Sequence, residues 1–125
     1  MGLEMYMVKI KKEDASGIFD YEKVSEEDII KEWYKYTEYD KLMHTLYLKK
    51  GGKGRFNLKP MMITLEDLNY IEQFHRLRIK ECMHEFPHLH EGKTFKEVFR
   101  DATEYIRHAR YIIGKGDSVY YINWW

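Results

Sequence analysis

The segment Thr45-Leu46-Tyr47-Leu48-Lys49-Lys50-Gly51-Gly52-Lys53-Gly54-Arg55-Phe56-Asn57-Leu58-Lys59-Pro60-Met61 decides how the rest of the chain is assembled. Apolar residues alternate on both sides of a glycine-rich centre. Thr45 to Lys50 and Arg55 to Met61 therefore read as two strands joined by a turn at Gly51-Gly52-Lys53-Gly54. In that hairpin Leu46 and Leu48 face Phe56 and Leu58. A lone hairpin is marginal in water, so the flanking sequence must add strands and cover one face of them.

Working outward, a Ser or Thr followed three residues later by an acid occurs at Ser25-Asp28, Thr64-Asp67 and Thr94-Glu97, each time before a helically periodic stretch. The hydroxyl accepts from a free N–H of the first turn, and the acid favours the positive end of the helix dipole. The spacing predicts a helix over about 26 to 39, carrying Ile29, Ile30, Trp33 and Tyr36. A second, about 65 to 85, puts Leu68, Ile71, His75, Ile79, Cys82 and Phe86 in one stripe before Pro87. The third, about 95 to 113, runs from Phe95 through Val98, Ala102, Tyr105, Ile106 and Ala109 to Ile113, with Gly114 as its stop.

Met5 to Ile10 alternates as a strand, and Val119 to Trp125 is β-branched and aromatic on both faces, which suits a covered central strand. The expected fold is one α+β domain over residues 1–125, an antiparallel sheet with three helices. Its β-α-β-β-α-α-β order resembles the ferredoxin-like arrangement with one extra helix. Residues 13 to 24 are assigned to no element.

With 44% hydrophobic and 34% charged residues, and 21 bases against 21 acids, the composition is that of a folding chain rather than a disordered one. No apolar run reaches the ~18 residues of a membrane span, and the opening MGLEMYMVKIKK has no secretory pattern, so a soluble cytoplasmic protein is expected. The lone Cys82 excludes an internal disulfide. Abundant Tyr and Lys with a single Gln suit an A/T-rich genome, such as a virus or mobile element, or a hot environment.

Net zero charge hides an asymmetry. Between Asp40 and Glu66 there is no acid, while Lys41, Lys49, Lys50, Lys53, Arg55 and Lys59 make that stretch strongly basic; residues 13 to 40 hold ten acids against three lysines. A glycine-rich loop bearing Lys49, Lys50, Lys53, Arg55 and Lys59 suits a polyanion, because backbone N–H groups approach phosphate closely and each cation displaces a counterion. Arg76 and Lys80 on the second helix, with Arg107 and Arg110 on the third, extend the basic surface. The loop is no nucleotide-hydrolase phosphate loop, for Gly51-Gly52-Lys53-Gly54 lacks the gap and the ending.

His84, His88 and His90 are the candidate metal ligands, with His88 and His90 on one side of an extended segment. Their His-hydrophobe-His pattern resembles that of replication-initiator endonucleases, which implies a divalent metal and a helical tyrosine nucleophile, Tyr105 or Tyr111. In those enzymes the pair lies on a core strand, whereas here a capped helix follows. Glu72-x-x-His75 and Glu81-x-x-His84 resemble di-iron ligand pairs but fall on opposite sides of one helix. His75, on the apolar stripe, reads as a hydrogen-bonded core histidine. Trp124 and Trp125 either close the core or anchor a partner.

The expected function is thus a small non-enzymatic protein that binds nucleic acid or a nucleoprotein through the basic hairpin, without cofactor. The alternative is an interaction or inhibitory module, engaging a host protein or a second copy through its acidic and C-terminal aromatic surfaces. A third reading is a metal-dependent nuclease or hydrolase using His84, His88 and His90.

Overall fold

The computed structural model describes residues 3–11, 25–34, 36–54, 60–85 and 92–124, with backbone only at 79–83, 85 and 95. The elements are β1 (Glu4–Ile10), a 3-10 turn (Glu26–Asp28), β2 (Ile29–Tyr34), α1 (Thr37–Lys49), β3 (Met61–Ile63), α2 (Leu65–Glu85), α3 (Phe95–Gly114) and β4 (Ser118–Trp124). The strands form one antiparallel sheet in the order β2-β1-β4-β3. The α+β class, the antiparallel sheet and the three helices are as expected. The element order differs, because the first helix and the second strand exchange places.

The exchange has two local causes. Ser25 spends its hydroxyl proton on Asp28 Oδ2 at 3.0 Å and makes no side-chain cap, so the acidic run forms a single 3-10 turn. Ile29 and Ile30 are β-branched and Trp33 and Tyr34 aromatic, a composition that fits a pleated surface. The segment pairs with β1, Met5 opposite Trp33 and Met7 opposite Lys31, with a register shift between Met7 and Val8. The expected helix over 26 to 39 is therefore replaced by a turn and a strand.

The expected hairpin strand at Thr45 to Lys50 is instead the end of α1. Tyr39, Leu42, Met43 and Leu46 are buried at helical spacing, whereas Leu48, which would share a strand face with Leu46, is exposed. The two glycines stop this helix. Gly51, at φ 87°, donates to Leu48 O, and Gly52 donates to Tyr47 O, which satisfies the last carbonyls. A Cβ on Gly52 would stand 2.5 Å from the Tyr47 ring, whose hydroxyl donates to Lys53 O. Residues 55 to 59 of the second expected strand lie outside the described residues.

The other helix starts are where the caps put them. Thr64 Oγ1 accepts from Asp67 N while Asp67 Oδ2 accepts from Thr64 N, a reciprocal box, and Thr94 Oγ1 accepts from Glu97 N. At the far end of α3 the left-handed residue is Gly116, at φ 100°, not Gly114, which remains helical. Met5, Met7, Trp33, Met61, Ile63, Val119 and Tyr121 share one sheet face with the buried side chains of all three helices, and that layer is the core. No helix among the described residues is long and apolar enough to cross a membrane.

Candidate functional site

The described residues of the expected basic finger lie at the C-terminal end of α1 rather than on a hairpin. Lys49 and Lys50 end α1, and Lys53 follows it. Lys50 Nζ pairs with Asp67 Oδ2 at 2.5 Å and also donates to Met62 O, so it serves the start of α2. Lys49 Nζ lies 4.6 Å from the Tyr70 ring centroid. Arg110 binds Glu72 at 3.0 Å and Asn69 at 2.9 Å, linking α3 to α2, and Arg76 lies 3.7 Å from the same Glu72. The Arg110 hydrogen bond holds the Glu72 carboxyl below its usual range. Arg107 is exposed; Arg55, Lys59 and the Lys80 side chain lie outside the described residues.

His84 is exposed in the last turn of α2, and His88 and His90 lie outside the described residues. Among the described residues no three His, Cys, Asp or Glu side chains converge as metal ligands. Of the two helical tyrosines of the endonuclease resemblance, Tyr111 is exposed and Tyr105 is buried, with its hydroxyl 2.9 Å from that of Tyr39 and 2.7 Å from His75 Nε2. Burial pushes the phenols of Tyr39, Tyr105 and Tyr121 well above the usual tyrosine range, and Asp40 accepts from both Tyr121 and Asn123. A phenol held neutral in this way is a poor nucleophile. His75 is the hydrogen-bonded core histidine that its place on the stripe implies.

The pleat sends the other side chains to the outer face of the sheet, opposite the described helices. The ladder aligns them in rows: Tyr34, Glu4 and Trp124; then Glu32, Tyr6 and Ile122; then Ile29, Val8, Tyr120 and Met62. Val8 and Ile122 at the centre are buried, while Tyr34, Trp124 and Met62 at the rim are 48%, 46% and 43% exposed. Tyr6 donates to Glu4 Oε2 at 3.0 Å. Of the charged residues in these rows, Glu4 and Glu32 are acids and none is a base. Trp124 thus belongs to an exposed surface rather than to the core; Trp125 lies outside the described residues. Sequence reading singled out Trp124 but missed Tyr34, because the helix expected there put it on no sheet.

A second feature lies between β2 and α3. Trp33, Tyr36, Val98 and Ala102 wall a cavity of about 100 Å3 that reaches His75 and Tyr105, with Lys31, Lys93 and Asp101 at its mouth. Lys93 bonds Asp101 at 2.6 Å and holds that carboxyl below its usual range. Searches against protein-family models, curated proteins and solved structures find no match to the chain.

Proposed function

We propose that the chain is a non-enzymatic protein-interaction module that docks through the outer face of its sheet, opposite the described helices. The observation that carries this reading is the grouping of Tyr34, Trp124 and Met62, each more than two-fifths exposed, on one face with Glu4 and Glu32. Rigid aromatic rings on a strand scaffold give large contact area at low entropic cost, and such side chains dominate binding energy at interfaces. The partner that fits is a protein presenting an apolar patch rimmed by Lys or Arg, which the two acids select. No cofactor is required.

The same rings raise the question of single-stranded nucleic acid, which stacks on aromatic platforms. Those platforms are paired with a basic groove that tracks the phosphates, whereas the charges in these rows are acidic. Lys49 ends α1 and Lys53 follows it, neither belonging to a strand of the sheet.

The test compares two variants with the parent chain. Tyr34→Ser with Trp124→Ser removes the rings; Lys49→Ala with Lys53→Ala and Arg55→Ala removes cations and spares Lys50, which is structural. Protein retained by the parent in an affinity capture should be lost by the first variant and kept by the second. Retention unchanged in the first variant, or a salt-sensitive mobility shift with nucleic acid abolished by the second, contradicts the proposal.

A further inference from the structure

The cavity beside Trp33 continues along β2 into a shallower depression of about 270 Å3 bordered by Ile30, Glu104 and His108. The two share Lys31, Asp101 and Tyr105, so they form one trough between β2 and α3. β2 is the end strand of the sheet; β1 is its one partner among the described residues. From Val98 to His108 the α3 wall is about 15 Å long at 1.5 Å per residue, the span of four or five extended residues. A groove flanked on one side by a strand edge that no described strand pairs with and on the other by a helix is the geometry in which a peptide adds as an extra strand.

We propose that this trough receives an extended peptide of another protein, paired to the β2 edge, with a large apolar side chain in the cavity and a basic side chain two residues away. The cavity selects the apolar residue through Trp33, Tyr36, Val98 and Ala102. Alternate residues of an extended chain point the same way, so the next inward side chain falls in the shallower part of the trough. Glu104 is exposed there and favours a cation, while Asp101 beside it is held by Lys93 and Lys31 stands on the opposite wall.

A second copy of this chain is the disfavoured occupant. Antiparallel self-pairing about a two-fold axis keeps faces matched only when a residue meets itself or one an even number of positions away. The registers that use most of Ile29–Tyr34 then set Lys31 against Lys31 or Glu32 against Glu32. The inference stands on the sheet edge and α3, not on the outer face, and its failure is separable from that of the docking face.

The probe is a blocked seven-residue threonine peptide with Phe third and Arg fifth, titrated into the isotope-labelled chain. Saturable shifts are expected at the Ile30 to Trp33 amides and at Ala102, with Kd on the order of 100 μM. Phe→Ala in the peptide should weaken binding about tenfold or more, and Ala102→Trp, which fills the cavity, should abolish it. Glu104→Lys, a surface change that leaves folding intact, should weaken the Arg peptide and favour one with Glu in its place; Trp124→Ser should change nothing. Absence of shifts along β2 at about 1 mM peptide, binding indifferent to both Ala102→Trp and Glu104→Lys, or shifts confined to the outer face overturns the proposal.

Discussion

Tyr105 is where the buried polar bonding of the core converges. Its hydroxyl joins Tyr39 and His75, and Trp33 meets its ring edge-on with centroids 5.1 Å apart. Tyr105→Phe keeps the ring packing but strips a partner from two buried groups, so it should cost about 1–3 kcal/mol in urea unfolding. Burial also gives the core a pH limit. Tyr39, Tyr105 and Tyr121 hold their protons above the ordinary phenol range. The unfolded chain releases those protons near pH ~10 and the folded chain does not, so the folded state carries more protons beyond that point. Stability is fully present below about pH 10 and falls as pH rises above it. Absorbance titration at alkaline pH should show these phenols ionising only together with unfolding; their ionisation while the fold persists would contradict the burial.

At the scale of elements, the chain ends of the helices make a paired prediction. Gly114 is helical, and a Cβ there meets open space, so Gly114→Ala should stabilise by about 0.5–1 kcal/mol. Gly116, at φ 100°, terminates α3 through Asp117 N to Ile112 O, and Gly116→Ala should destabilise by ~1 kcal/mol or more. Thermal unfolding of the two variants checks opposite signs. The same elements show what sequence alone can carry. α2 and α3 were legible because caps and long periodic stripes repeat one message over many residues, and β4 because it is rich in β-branched and aromatic residues. β2 was not: Ile29, Ile30 and Trp33 satisfy helical spacing as well as strand composition over six residues, and only pairing with β1 separates the two. The misread hairpin had the same origin, since Leu46 and Leu48 alternate, while the signal that decides starts earlier, at Tyr39, Leu42 and Met43. The docking face and the trough followed these errors. Both depend on which residues lie beside β2, a non-local fact that no window of sequence contains.

For the whole molecule, the described part of the basic window, Lys41 to Gly54, folds as the end of α1 and its stop rather than as a hairpin strand. Lys50 is held by Asp67, while the exposed aromatic side chains of the sheet gather with acids. Exposed aromatic side chains held on one sheet face suit contact with another protein surface. The proposed docking surface is the outer sheet face, and hydrogen exchange of the chain with and without its captured partner tests that face directly. Slowed exchange across β1, β2 and β4, with Lys49 to Gly54 and the exposed sides of α2 and α3 unchanged, is the predicted result. Protection confined to Lys49–Gly54 and the helical layer, with the strands exchanging as in the isolated chain, would contradict it.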